Sequence, residues 1–560
     1  MSRKQRLARR TDHARIDPTP PTPGGPPAPF QRIIEIDVIA AFTVLLCLTL
    51  AYATRNTLNP DGVSYLDLAN AARRNDWSNF VQAYWSPLYP VLLAAAGALT
   101  ATVERTTFLT VVHLVNALIA CAGVGAIWLW SHRLQDRVFA RAAMVTFVLA
   151  AARPLRIEAV TPDMLLLVLL AWIGYELLCH EGRRWVRLGL LSGFAYLAKT
   201  SVWPWLVVVA IVRLALTWKT GARRSVVGTI AVTGLVMAPW VAAMSIHDRG
   251  FTVSSAGPLN VCWYLRACDG RTPDTHTGQH RLHQNATLST GAVVTIASFE
   301  RDSSWTYLPW SDPTAWTGGI ITQGGHHGSL TEFVAYWWKY AIHVIGVWML
   351  PVLAAVLLPV AATHWPKRGS PLIVGERRGP VIVILLGLAG IAQFIVIHAE
   401  PRLIAPFVLL FGLAALTWLR QLGGSDESVA PLHRRLRHLA SFVGIAVAVV
   451  LSIRRVNGEL SVSAMVDQRF LVINAQLGAS QAAEVRRIAI VGYAVPALSD
   501  IWRVNARVVL QVPPRSAVEV GKIPGDGQVA EVRRLLGGRA DVAWLVNPDG
   551  RFQWVTLTEP

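Results

Sequence analysis

Charge is scarce in this chain. Asp, Glu, Lys and Arg make up only 15% of its 560 residues and hydrophobic residues make up 53%, with a mean hydropathy of +0.40. Soluble domains carry about 25% charged residues, so this balance points to a membrane. Cysteine is scarcer still. There are five, none spaced Cys-x-x-Cys, which removes zinc-ribbon and dithiol redox motifs. No Gly-x-x-x-x-Gly-Lys-Ser/Thr loop is present, so ATP-driven transport has no engine. Neither His-Glu-x-x-His nor Gly-x-Ser-x-Gly occurs, which leaves metalloprotease and α/β-hydrolase chemistry without its working parts. The Asp-x-Asp pair often used by soluble nucleotide-sugar enzymes is missing, and no internal repeat is found.

What the chain does have is long apolar runs. By the roughly 17–25 residues needed to cross a bilayer, about eleven spans are expected. They lie near 33–54, 107–130, 139–152, 160–178, 186–198, 202–217, 226–246, 336–361, 379–398, 403–419 and 439–453. The first begins too late and runs too long for a cleaved signal peptide, and no small-residue cleavage site follows it.

The net charge of +18 might suggest nucleic acid, but its distribution says otherwise. Basic residues precede the first span (Arg3, Lys4, Arg6, Arg9, Arg10, Arg15, Arg32) and then recur in every second connection. These later clusters are Arg133/Arg137/Arg141, Arg183/Arg184/Arg187, Lys219/Arg223/Arg224, Lys367/Arg368/Arg377/Arg378 and Arg434/Arg435/Arg437. Such alternation is the positive-inside pattern, against which only Arg454/Arg455 run. It predicts a cytoplasmic N-terminus, an outer C-terminus and no nucleic-acid partner.

The predicted organisation has three parts. Residues 1–32 are a basic, Pro-rich cytoplasmic tail of disordered composition. Residues 33–453 form an all-α polytopic membrane domain with outer loops 55–106 and 247–335. The stretch "SPLYPVLLAAAGAL" in the first loop reads as an interfacial or re-entrant helix. Residues 456–560 return to soluble composition. The runs "RIAIVGY", "RVVLQV", "VAWLV" and "FQWVTL", with a helical "DGQVAEVRRLLGG", predict a small extracytoplasmic α/β domain. Cys262 and Cys268 share the second outer loop, where an oxidising compartment favours a disulfide.

Polar residues gather at the outer ends of the spans. Asp61 and Asp67 in "NPDGVSYLD" follow the first span, and Glu158 and Asp163 in "RPLRIEAVTPDMLL" lie at the outer end of the fourth. Lys199 lies in "YLAKTSVWPW", and His398, Glu400 and Arg402 in "IHAEPRLIAPF". Ionisable groups left in lipid cost roughly 2.5–3.5 kcal/mol each, so groups at such depth tend to face a cavity and pair. Taken singly, each has a plainer reading: Asp67 as a solvated loop carboxylate, Arg402 as an interfacial anchor, and the aromatics Trp77, Tyr84, Trp85, Tyr89, Trp305, Tyr307, Trp310 and Trp316 as an interfacial belt.

This array resembles the GT-C glycosyltransferases, the superfamily of protein O-mannosyltransferases and of bacterial aminoarabinose transferases. In that family a catalytic Asp lies in a large first outer loop, matched by Asp61. A second acidic residue at a later span is matched by Asp163 in "TPDMLL". A basic motif before a late span, often Arg-Tyr-x-x-Pro, is matched by Arg402 in "PRLIAPF", with Leu403 in place of Tyr. The resemblance covers residues 30–455.

It implies transfer of a sugar from a polyprenyl-phosphate donor to an envelope glycan, lipid or protein acceptor, at the outer face of a bacterial cytoplasmic membrane. Asp61 would be the general base, with Glu158 and Asp163 orienting the acceptor or holding a divalent metal. Arg402 and Lys199 would bind the donor phosphate. A divalent metal ion is compatible with the family, with His398, His326 and His327 as candidate nitrogen ligands. Two readings compete. A lipid or sugar transporter or flippase would carry its charges at mid-span within inverted repeats. A non-catalytic envelope scaffold would explain the tail but not the acidic first loop.

Overall fold

The computed structural model describes residues 34–99, 105–134, 137–152, 157, 159–180, 184–218, 223–261, 282–299, 305–311, 338, 378–397 and 400–422. It further describes scattered positions between 450 and 464, and residues 486–491, 498–512, 514–523, 526–536, 540–546 and 552–557. The predicted N-terminal tail and the Cys262–Cys268 pair lie outside the described residues, as does nearly all of the predicted spans 336–361 and 439–453.

Helices occupy the other predicted spans. They are α1 (Ile34–Ala53), α4 (Arg105–Leu134), α5 (Arg137–Ala152), α6 (Asp163–His180), α7 (Trp185–Ala198), α8 (Trp203–Thr217), α9 (Arg223–His247), α10 (Arg378–Ile397) and α11 (Pro401–Leu422). Two more, α2 (Pro60–Arg73) and α3 (Leu88–Leu99), lie in the first loop. Among the described residues, five helical segments are long and apolar enough to cross a membrane: Ile34–Ala53, Thr107–Arg133, Thr200–Thr217, Arg223–His247 and Pro401–Gln421. Helix is what lipid demands of such runs, because every backbone N–H and C=O must then be satisfied within the segment.

The bundle has two distinct ends. At one, Glu35 in the first turn of α1 pairs with Arg141 and, at 3.6 Å, with Arg137. Asp37 beside it accepts the Trp128 indole N–H at 2.8 Å and lies 3.3 Å from His132. These residues belong to the basic connections that the charge pattern puts inside. Among the described site candidates, Asp61, Asp163, Lys199, Glu400 and Arg402 collect at the other end, past the last residue of α1. Between the ends the core is apolar, with Ala117 and Ile127 of α4, Phe147 of α5, Leu170 of α6 and Leu413 of α11 all buried.

The tail's β-like runs enter a six-stranded sheet that the tail does not build alone. Strands β3 (Arg486–Val491), β4 (Ala506–Val512), β5 (Val542–Val546) and β6 (Phe552–Thr556) are joined by β1 (Leu282–Thr287) and β2 (Val293–Ser298) from the second outer loop. The order is β1-β2-β4-β3-β5-β6. β3 pairs in parallel with β4 and β5, and the outer pairings are antiparallel. Parallel neighbours need crossovers. Between β3 and β4 runs α12 (Leu498–Arg503), and between β4 and β5 run α13 (Pro514–Gly521) and α14 (Asp526–Leu536). The sheet's own core joins Val294 and Ile296 of the hairpin to Leu510, Val532 and Leu545 of the tail.

The segment after β2 ties this sheet to the helical bundle. Phe299 N–H donates to Val509 O (2.7 Å), Thr306 O accepts from Val508 N–H (2.8 Å), and the Tyr307 hydroxyl donates to Gln511 Oε1 (2.7 Å). On the bundle side, Trp85 Nε1 donates to Ser311 O (2.9 Å) and Ser64 Oγ to Trp310 O (3.2 Å). Trp85, Tyr89, Trp305 and Tyr307 are buried in this junction. They form a packed interface rather than the belt that their composition suggests; of the loop aromatics, Trp77 stays exposed. Trp316 is outside the described residues.

Candidate active site

Asp61 stands in the first turn of α2, and its placement follows from the three residues around it. Pro60 opens the helix at a position where a missing N–H costs nothing. Asn59, in the N-cap position, makes no side-chain cap; its Oδ1 instead accepts the Val160 N–H at 2.8 Å, tying α2 to the turn before α6. Gly62 permits that approach, since a Cβ there would meet Leu58 Cδ1 at 2.7 Å and Val160 Cβ at 2.8 Å. The turn itself is held from α4, where Asn116 donates to Ala159 O at 3.1 Å and accepts the Tyr89 hydroxyl at 2.7 Å.

Asp163 begins α6 at the end of that turn, where a helix N-terminus favours a carboxylate. It is 1% exposed and fully engaged: Thr161 Oγ1 donates to it at 2.9 Å, and the Lys199 ammonium pairs with its other oxygen. Lys199 caps α7 in an extended conformation, so the helix stops there and the side chain is free of its turn. The following residue fixes the break: Thr200 N–H donates to Ser86 Oγ (2.7 Å) and Thr200 Oγ1 meets Ser254 Oγ (2.9 Å).

Arg402 comes from a fourth segment, the first turn of α11. Its Nη1 lies 2.6 Å from Asp61 Oδ2 and 3.8 Å from Asp163 Oδ2, and its Nε lies 2.6 Å from Glu400 Oε1. Asp61, Asp163, Lys199 and Arg402, far apart in the chain, therefore form with Glu400 one cluster of three carboxylates and two cations. Asp61 (18%), Lys199 (18%) and Arg402 (26%) keep solvent access, while Asp163 sits behind them. A half-buried, solvent-accessible carboxylate beside a half-buried guanidinium can take a proton at one position and bind an anion at the next.

Tyr65 joins the cluster without having been singled out by its sequence, although its i+4 spacing from Asp61 puts both on one helix face. It is buried, edge-on to Trp85 at 5.0 Å and Tyr89 at 5.4 Å. Burial, then the Asp163 and Asp61 charges, hold its phenol well above the usual range, so it remains a neutral O–H.

Asp67 does not belong to this cluster. Six residues along a helix turn it about 120° from Asp61 and about 9 Å along the axis. Far from being a solvated loop carboxylate, it is 3% exposed and accepts three bonds from the junction segment. They come from Thr306 N–H (2.8 Å), Thr306 Oγ1 (2.9 Å) and Ser311 Oγ (3.3 Å). Burial pushes its carboxyl up to about 6, against the lowering pull of those bonds and of Arg105.

Glu158, His398, His326 and His327 lie outside the described residues. Among the described residues no group of three His, Cys, Asp or Glu side chains is placed to hold a metal ion. The carboxylates of the cluster are paired with Lys199 and Arg402 instead.

No protein-family model matches the chain, and no curated protein does. Solved structures do match its fold. ArnT from Cupriavidus metallidurans bound to undecaprenyl phosphate aligns with a TM-score of 0.51 and 14% identity, over 92% of this chain and 94% of that one. The apo form of the same protein aligns with a TM-score of 0.53 and 12% identity, over 92% and 93%. These identities speak for the fold alone. The likeness takes in more of the chain than residues 30–455, so it extends beyond the helical bundle.

Proposed function

We propose that this chain is a membrane glycosyltransferase of the GT-C type, moving a sugar from a polyprenyl-phosphate donor to an acceptor hydroxyl at the outer face of the membrane. The observation that carries this reading is the meeting of Asp61, Asp163, Lys199 and Arg402 at one end of the bundle. The fold shared with a protein solved with undecaprenyl phosphate supports it.

Each residue then has a task. Arg402 and Lys199 take the donor's phosphate and stabilise its charge as the glycosidic bond breaks. Without a donor, Asp61 holds the Arg402 guanidinium; a phosphate arriving there displaces it. Released from Arg402, Asp61 removes the acceptor's proton as that oxygen attacks the anomeric carbon. The bond from that carbon to the phosphate oxygen breaks, and the lipid phosphate leaves. Asp163, hidden from solvent, orients Lys199 and Arg402 rather than touching substrate. The sugar acceptor is an envelope glycan, lipid or protein.

The test is transfer by purified protein supplied with polyprenyl-phosphate-linked sugars extracted from membranes. Asp61→Asn keeps the side chain's size but cannot take the proton, and transfer should fall by about 10²–10⁴-fold. Near-normal turnover in a well-folded Asp61→Asn protein would remove Asp61 as the base.

A further inference from the structure

Asp61 and Asp67 are carried by one helix of fourteen residues, yet they answer to different parts of the molecule. Asp61 is gripped by the bundle through Arg402. Asp67 is gripped by Thr306 and Ser311, whose segment is hydrogen-bonded on its far side to β4 of the sheet. A second contact reinforces the link: Arg105, at the start of α4, donates to Trp502 O of α12 and stacks over the Trp502 ring at 5.0 Å. The helix is thus clamped at one face by a sheet made of two distant parts of the chain, and at its N-terminus by the reacting cluster.

A buried carboxylate accepting three donors is a demanding way to hold a loop. Loss of the carboxylate leaves the Thr306 N–H and two hydroxyls without their acceptor inside a packed junction. Loosening at Asp67 would therefore reach Asp61 along less than two turns of a continuous helix. Misplacement by about 1 Å can cost a reaction about 10²-fold.

We propose that Asp67 is a positioning residue: through it, the sheet formed by the second outer loop and the tail sets where α2 presents Asp61 to Arg402 and the acceptor. This rests on the reading of Asp61 as the base. It assigns the tail a part in the transfer step and predicts that the sheet's docking, more than donor binding, governs the rate.

The experiment compares wild type, Asp67→Ala, Asp67→Asn, Thr306→Val, Asp61→Asn and the double variant Asp61→Asn/Asp67→Ala, each purified in full length. Three readouts are taken: binding of undecaprenyl phosphate, transfer rate from extracted lipid-linked sugars, and hydrogen exchange of peptides covering 60–73 and 305–311. In Asp67→Ala, transfer should fall by about 10²-fold, undecaprenyl phosphate binding should stay within about twofold, and both peptides should exchange faster. Asp67→Asn, which keeps an acceptor for the Thr306 N–H, should recover part of the rate. Thr306→Val should lose less than Asp67→Ala.

The double variant decides between positioning and general loss of structure. If Asp67 acts through Asp61, its removal adds little once Asp61 is already Asn, whereas independent damage multiplies. Multiplying losses, an unchanged rate in Asp67→Ala, or unchanged exchange of 60–73 in that variant would each overturn the proposal. A fully active Asp61→Asn protein would instead overturn the assignment of the base, and exchange of 60–73 would still report whether Asp67 holds the helix.

Discussion

At the scale of the residue, the two carboxylates of "NPDGVSYLD" are distinguished by what they touch. The sequence puts both after the first span and favours Asp61 over Asp67, chiefly through a resemblance. The structure gives the reason: one faces Arg402 at 2.6 Å and solvent, the other faces Thr306 and Ser311 and is buried. Nothing in the local pattern could reveal Asp67's partners, since they come from more than two hundred residues away. A pH dependence follows from its burial. Its carboxyl titrates at about 6 in the docked state, against 3.8 ordinarily, so docking takes up a proton between those values. The stabilisation from that proton is complete below pH 3.8 and is lost as pH rises through about 6, a difference of about 3 kcal/mol across the window. Hydrogen exchange of 305–311 should therefore be slower at pH 5 than at pH 7.5, after correction for intrinsic rates, and Asp67→Asn should flatten the difference.

At the scale of the element, most of the helices are legible because lipid enforces long apolar runs, and "PVLLAAAGAL" gives the short α3 because it is apolar but curtailed. The way the helices meet is less visible. "GLLSG" in α7 carries Gly189 and Gly193 four residues apart, a small-residue spacing that lets helices approach closely. It faces α9: a Cβ at Gly193 would lie 2.5 Å from Val236 Cβ, and one at Gly189 2.7 Å from Val232 Cβ. Because Lys199 caps α7, forcing this contact apart also moves a residue of the cluster. Gly193→Leu should destabilise the protein by about 1–3 kcal/mol through overpacking and lower undecaprenyl phosphate binding. Gly234→Ala on α9, where no atom lies within 4 Å of the added Cβ, should be neutral in both. Thermal melting of the two variants in the same detergent checks the contrast. The β1–β2 hairpin shows the opposite difficulty. "VVTIAS" has the β-branched content of a strand, but "LHQNAT" is polar, and only pairing with β4 reveals that the loop completes the tail's sheet.

At the scale of the whole molecule, the contacts fix which parts share a side of the membrane. Arg105 meets Trp502, Thr306 meets Val508, and Asp67 meets Thr306, so the first loop, the second loop and the tail sheet must lie together. α1 separates them from whatever precedes Ile34, because its first turn belongs to the Glu35–Arg141 end and its last leads to Asp61. The two termini are therefore expected on opposite faces. The charge pattern supplies the absolute sense: Arg3, Lys4, Arg6, Arg9 and Arg10 precede α1, and Arg137 and Arg141 stand at the same end of the bundle. Basic residues resist translocation, so that end is expected in the cytoplasm and the cluster of Asp61 and Arg402 outside. A reporter active only beyond the cytoplasmic membrane, fused after Pro560, should be active, and the same reporter fused before Ser2 should be silent. Activity at both termini would break the contact-based argument, since it would put α1 on one side entirely. Activity at the N-terminus alone would keep the contacts but reverse the sense, placing Asp61 and Arg402 on the cytoplasmic side.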